Sequence, residues 1–267
     1  MSGILYLVAV PIGNPDDLAP RAIEALRSVS VVAAEDTRHF ATLARYHGIE
    51  GRVVSYHDHN EDSRTRELIG RLRSGDDVAL VSDAGTPLVS DPGYRLVRAA
   101  IDADVAVTSL PGASAVITAL AASGLPPHPF RFIGFLPRTA AARRAALARL
   151  RADDATLVAF ESPRRLIATL RDARDVLGDR PACLARNLTK PHERYQRGAI
   201  SGLIAALETE DEVRGECTLL VGGAVERPGV SEEAEADANL LLDAGAPARA
   251  VQELLVQRHG LSKRDAY

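Results

Sequence analysis

The chain has no tryptophan, a single methionine and two cysteines, and aromatic residues make up only 4% of its 267 positions. Cys183 and Cys217 stand far apart and outside any CxxC pattern, which argues against a disulfide scaffold or a thiolate metal centre. Both read as small apolar fillers of strands, and no metal is expected. Long apolar runs are missing too: none approaches the roughly 20 residues that cross a bilayer, and the N-terminus lacks the basic segment and apolar core of a signal peptide. The expectation is a cytoplasmic protein that spans no membrane. Neither the glycine fingerprint of dinucleotide folds nor a phosphate loop with its Gly-Lys-Ser/Thr ending is present, so nicotinamide and ATP chemistry lose most of their support. A net charge of −4 argues against a whole-surface polyanion binder, yet 32 Lys and Arg, almost all of them Arg, leave room for a local basic groove.

What is present has globular proportions, 46% hydrophobic and 25% charged, at a length of one to two domains. Strand and helix patterns alternate through the first half. Strands are predicted at 4–10, 29–34, 52–55, 78–81 and 105–108, and helices at 20–27, near 40–47, 63–74, 93–103 and from Pro111-Gly-Ala-Ser114 to Ser123. Gly124-Leu-Pro-Pro-His-Pro129 is the strongest break; 130–135 then reads as a strand and Leu136-Pro-Arg-Thr139 as a hinge. A second set follows, with helices at 140–151, 163–177 and near 200–208 and strands at 156–160, 182–186 and 217–221. The expected organisation is an α/β domain over 1–135, a second α/β domain over 136–225 that closes a cleft, an acidic linker over 226–238 and a helical tail over 239–267. In the tail, Leu240-Leu-Leu-Asp-Ala-Gly245 and 247–259 suggest two helices joined by a turn, with Leu261-Ser-Lys-Arg264 starting a third.

The segment from Val78 to Gly93 carries most of the functional signal. Val78 to Val81 is an uninterrupted apolar strand, as in a parallel sheet covered on both faces, and it runs into the small residues and fixed turns of Ser82-Asp-Ala-Gly-Thr-Pro87. Ligands of open α/β sheets sit beyond the carboxyl ends of strands, so a site belongs here. Asp91 and Pro92 read as the cap and first turn of the next helix. Pro11-Ile-Gly-Asn-Pro15 and Pro111-Gly-Ala-Ser114 have the same character and should share this sheet edge. Free N–H groups at such turns suit a nucleoside-like ligand without phosphates.

Five segments then resemble, in chain order, the motifs of the ribosomal RNA small subunit methyltransferase I family, which has the tetrapyrrole-methylase-like fold. They are Leu5-Tyr-Leu-Val-Ala-Val-Pro-Ile-Gly-Asn14, Ala34-Glu-Asp-Thr-Arg38, Ser82-Asp-Ala-Gly-Thr-Pro-Leu-Val-Ser-Asp-Pro-Gly93, Phe160-Glu-Ser-Pro-Arg-Arg165 and Arg186-Asn-Leu-Thr-Lys-Pro-His-Glu193. The resemblance spans about residues 4–225. It implies S-adenosylmethionine bound between two α/β domains and 2′-O-methylation of a cytidine ribose in the decoding region of 16S rRNA, within the small ribosomal subunit, by a homodimer. By position it implies donor contacts from Pro11, Asp83, Ala84, Gly85, Thr86, Val89, Ser114 and Ala115, with Phe160 and Leu188 closing the pocket. Asn187 departs from the pattern, standing where the family has Glu.

A ribose hydroxyl is a poor acid, so it needs a base or a cation beside the developing alkoxide. The clusters Glu35-Asp36-Thr37-Arg38-His39 and Arg186, Lys190, His192, Glu193 supply candidates, of which Lys190, Asp36, Arg38 and Glu193 are the expected catalytic set; the acids of the first cluster could equally cap a helix. Arg38, His39, His57, Arg64 and Arg186, with Arg138, Arg143 and Arg144 near the hinge, are the expected RNA contacts. His57 and His59 have no third metal ligand in view, and Phe132 and Phe135 read as core. Two other readings stay open: methylation of a tetrapyrrole or other small molecule on the same fold, and a non-catalytic RNA-binding or assembly protein.

Overall fold

The computed structural model describes residues 2–224 and 232–259. Five parallel strands, β1 (Ile4–Val8), β2 (Val31–Ala34), β3 (Val53–Ser55), β4 (Val78–Val81) and β5 (Ala106–Leu110), form the first sheet in the order β3-β2-β4-β1-β5. Every residue of β2 and β4 is buried, as their unbroken apolar runs require of strands covered on both faces. The helices α1 (Pro20–Ser28) and α2 (Thr37–His47) cover one face through Ala22, Leu26, Phe40 and Ala44, while α3 (Glu61–Arg73) and α4 (Tyr94–Asp102) cover the other through Leu68, Leu72, Leu96 and Ala100.

This order sets the position of a crevice. The chain leaves β1 towards β2 on one side and leaves β4 towards β5 on the other, so the connections diverge between the neighbours β1 and β4. Open α/β sheets bind ligands at such a switch point.

The helix α5 (Ala115–Ser123) follows the first sheet in sequence but packs on the second. Its Val116, Ala119 and Leu120 bury against Val158, Cys183, Ala185 and Leu220. That second sheet comprises β6 (Phe130–Phe135), β7 (Thr156–Glu161), β8 (Pro181–Arg186), β9 (Arg194–Ala199) and β10 (Cys217–Val221), in the order β6-β7-β10-β8-β9. Only β6 and β7 run parallel; the other three pairings are antiparallel. On the face away from α5, the helices α6 (Ala140–Ala148), α7 (Leu166–Leu177) and α8 (Ile200–Glu208) bury Leu147, Leu166, Leu170, Leu203 and Leu207 over Leu157, Leu184 and Leu219. Residues 1–223 form one compact unit containing both sheets.

Several expectations need correction. Strand 130–135 pairs with β7, so the change of sheet precedes it rather than following at 136–139. A strand at 194–199 was not expected, because Arg194-Tyr-Gln-Arg-Gly198 is polar; it is an edge strand that borrows its hydrogen bonds from β8. The acidic stretch 226–238 is helical from Glu232, where α9 (Glu232–Asp243) begins. Residues 225–231, and the third tail helix expected from Leu261, lie outside the described residues. Within the C-terminal unit, α9 and α10 (Ala248–His259) pair through Ala234, Val251 and Leu255, and the His259 ring meets Asp237 at 2.9 Å.

Candidate active site

The loops that leave β1 and β4 are stitched together where the connections diverge. Val10 N–H donates to Gly85 O at 2.9 Å and Gly85 N–H returns the bond to Val10 O at 3.0 Å. Gly85 has φ +77°, and a Cβ there would lie 3.4 Å from Ile12 Cγ2, filling the space between the two loops. Glycine permits the positive φ that this loop-to-loop pairing adopts.

Between the sheets lies a cavity of about 400 Å³, within the size range of small-ligand sites. Asp83, Ala84, Gly85, Thr86 and Val89 line it from the loop after β4, Ser114 and Ala115 from the start of α5, and Phe160 and Leu188 from the second sheet. All of these were expected from the sequence. Pro11, expected to contact the donor, is not among the lining residues, and its neighbour Ile12, just beyond the Val10–Gly85 pairing, lines the cavity instead.

Of the other wall residues, Glu35 stood in the first candidate cluster, and sequence reasoning missed most of the rest. Phe135, expected in the core, is 60% exposed and lines the cavity, its ring 5.6 Å from that of Phe160. Glu161, Ser162 and Pro163 belong to a quoted motif, and their position at the end of a strand could have found them. Gly215, Glu216, Cys217 and Thr218 carry no local signal and are brought in by the antiparallel pairing of β10. Ser90 and Asp91 also line the cavity. Asp91 was expected to cap α4, but the capping residue is Gly93, whose N–H is taken by the Glu61 carboxylate of α3 at 3.0 Å.

The wall is negative. Among the described residues that line the cavity there are five carboxylates, Glu35, Asp83, Asp91, Glu161 and Glu216, and no Lys, Arg or His. Glu161 is internally balanced: its buried side chain accepts from Ser162 N–H at 2.7 Å, Arg165 at 2.9 Å and Thr169 Oγ1 at 2.6 Å. Glu35 accepts from Asp83 N–H at 3.2 Å and Asp83 accepts from Asp36 N–H at 3.0 Å, lacing the ends of β2 and β4 together. Burial raises the Glu35 carboxyl above its ordinary range against the pull of the Asp83 N–H, and the charges of Asp83, Asp58 and Asp36 raise it further. Asp91 is pushed up to about 6, first by burial, then by the charge of Glu35, with the Ser82 hydroxyl opposing and Asp83 adding a smaller push.

None of the four expected catalytic residues lines the cavity. Asp36 caps α2, accepting from Arg38 N–H at 2.8 Å and His39 N–H at 3.4 Å, and these bonds hold its carboxyl below the usual range. The Arg38 side chain is 92% exposed and reaches back to Asp36. Glu193 accepts from Thr189 N–H at 2.5 Å, closing its own loop. Lys190 comes nearest, its ammonium 2.6 Å from Oε1 of the wall residue Glu216. Its stem lies on Gly13, where a Cβ would fall 2.4 Å from Lys190 Cγ and 2.8 Å from Leu188 O. With Asn14 N–H donating to Thr189 Oγ1 at 3.0 Å, the first loop and the 187–193 loop interlock across the cleft.

The expected RNA contacts divide by burial. Arg143, at 4% exposure, pairs with Asp172 at 2.5 Å; Arg186, at 5%, pairs with Glu210 at 2.8 Å. Both are internal struts, unavailable to phosphate, because their own side chains are buried and already paired with a carboxylate. Arg144 bridges Asp172 and Asp175, and Arg64 pairs with Glu67. His57 is half-buried, its ring 3.3 Å from the Asn60 amide. Arg38, His39 and Arg138 are exposed.

The donor set fits a cationic nucleoside. Backbone groups at 83–86 offer close contacts, Ile12, Val116, Leu188 and Phe160 offer apolar walls, and the carboxylates attract positive charge while repelling phosphate.

The family model described as Tetrapyrrole (Corrin/Porphyrin) Methylases matches residues 4–204. The chain is 55% identical to the ribosomal RNA small subunit methyltransferase I of Micromonospora olivasterospora, over 100% of this chain and 86% of the relative. It is 47% identical to the protein of that name from Synechocystis, over 86% of this chain and 84% of the relative. The crystal structure of uroporphyrin-III-C-methyltransferase from Thermus thermophilus superposes with a TM-score of 0.57 at 25% identity, over 82% of this chain and 94% of that one. A second crystal structure of that enzyme, complexed with S-adenyl homocysteine, gives 0.58 at 22% identity over 82% and 97%.

Proposed function

Because the chain belongs to the tetrapyrrole methylase family and matches small-subunit rRNA methyltransferase I proteins along its length, we propose that it methylates the ribose 2′-hydroxyl of a cytidine in the decoding region of 16S rRNA, with S-adenosylmethionine as donor. The observation that carries this reading is the charge of the cavity, five carboxylates and no cation among its described lining residues. S-adenosylmethionine supplies, when bound, a methyl group on a positively charged sulfur. A wall of this sign favours that ligand over any nucleotide with a phosphate tail.

The residues of the chain supply position and exclusion. Gly85 and its neighbours offer backbone groups at close range, Phe135 and Phe160 provide apolar surface that keeps water from the reacting atoms, and the interlock at Gly13 and Lys190 holds Leu188 against the donor. Lys190, whose ammonium pairs with the wall residue Glu216, would stabilise the oxygen as it loses its proton; that ion pair at the cavity wall supports the role. Lys190→Ala should then lose most of its turnover while calorimetry finds donor affinity kept. Among the expected RNA contacts, Arg38, His39 and Arg138 are the exposed ones and would hold the RNA backbone.

We place the enzyme in the cytoplasm, acting on rRNA within the small ribosomal subunit as a homodimer. The exposed Tyr94 and Ile101 of α4 support a second copy, which sedimentation of the purified protein would test. For the activity itself, the decisive experiment is mass spectrometry of 16S rRNA from cells with and without the gene. Loss of one cytidine 2′-O-methyl group, restored by the gene, is expected; an unchanged pattern sinks the reading.

A further inference from the structure

Four of the five cavity carboxylates are already committed. Glu161 is held by Arg165, Thr169 and Ser162 N–H, Glu216 by Lys190, Glu35 by Asp83 N–H and Asp83 by Asp36 N–H. Asp91 differs, since the contact that favours its charged form is the Ser82 hydroxyl, with no cation and no backbone N–H among the described residues assigned to it. The loop delivers it to the cavity at some cost. Leu88 and Ser90 have φ of +74° and +73°, conformations that side-chain-bearing residues avoid, and such strain persists where surrounding structure enforces it. The N-cap of α4 is Gly93, whose N–H goes to the Glu61 carboxylate of α3, so Asp91 lies two residues before the cap and stands among the residues that line the cavity.

We propose that Asp91 is the catalytic base, the group that accepts the 2′-hydroxyl proton; this rests on the methyl-transfer reading above. As the ribose O2′ forms its bond to the methyl carbon, the carbon–sulfur pair goes to sulfur, leaving a neutral thioether. The hydroxyl proton passes to Asp91 and then to water after product leaves. The charged groups facing Asp91 are Glu35 at the end of β2 and Asp83 beyond β4, and both make it a better proton acceptor than an isolated carboxylate. With its midpoint pushed up to about 6, it is ionised at neutral pH yet basic enough to take a proton in the transition state.

The experiment compares wild type with Asp91→Asn, using the full chain, small subunits from cells lacking the gene, and saturating S-adenosylmethionine. A fall in single-turnover rate of roughly 10²-fold or more is expected, the usual share of a general base, with donor affinity by calorimetry unchanged within about threefold. The acidic limb of the wild-type rate profile should vanish in the variant. Carbon-13 NMR of labelled aspartate carboxyls, without donor or RNA, should show one group titrating near 6 in wild type and none in the variant. An equal rate in the variant, or a loss of donor affinity with the saturated rate kept, overturns the role of Asp91. If wild type itself transfers no methyl group to these subunits, the broader reading falls and takes this role with it.

Discussion

At the scale of single residues, Gly13 shows how little room the cleft allows. Any side chain there must push against a carbonyl oxygen of the 187–193 loop as well as the stem of Lys190, and the carbonyl cannot swing aside as a flexible side chain can. Gly13→Ala should therefore cost about 1–3 kcal/mol of stability through overpacking, read as a melting temperature lowered by roughly 2 °C or more. Asp91 predicts a pH effect on stability. Its folded midpoint of about 6 lies above the ordinary 3.8, so between these values the folded chain holds more proton than the unfolded one. Stability from this group accordingly falls as pH rises through that window. Asp91→Asn escapes the loss, so its melting temperature should draw level with wild type near pH 4 and exceed it above pH 7; identical curves at both pH values would contradict the assignment. The cavity-lining residues after β4 were readable in the sequence because small residues after an apolar strand have few structural reasons to be there. Asp91 was visible too but misassigned as a cap, since the helix begins later than its sequence suggests and Gly93 takes the capping position, its N–H bonded to Glu61 from a distant part of the chain.

At the scale of elements, apolar strands and amphipathic helices announced themselves, while elements defined by partners did not. The burial of β4 follows from its own four residues, whereas β9 has a polar sequence and becomes a strand only because β8 offers it an edge. The basic pattern of α6 misled for a similar reason. A run of arginines looks like an exposed face until a facing helix supplies acids, and α7 supplies Asp172 and Asp175. Arg143→Ala should then strand a buried carboxylate and cost about 3–5 kcal/mol, seen as a drop in melting temperature of roughly 6 °C or more with the salt dependence of RNA binding unchanged. A variant that melts normally and binds RNA poorly would return Arg143 to the RNA surface.

At the scale of the molecule, a net charge of −4 conceals a division of labour. Acids line the cavity, while Arg38, His39 and Arg138 are exposed and not among its described lining residues, so on the function proposed above a positively charged cosubstrate and a polyanion would be drawn to different parts of the same surface. Replacing Arg38 and Arg138 together with alanine should lower the salt slope of RNA affinity by about 2, one for each phosphate that is no longer neutralised. No change in slope would place the RNA elsewhere. The packing of α5 has a consequence for how the protein can be divided. Chain order assigns this helix to the first sheet, while its apolar side belongs to the second. A gene cut at the apparent boundary would yield one fragment with a sticky, uncovered helix and another with an unroofed sheet, so each half is expected to aggregate alone and to recover solubility only when both are made in the same cell.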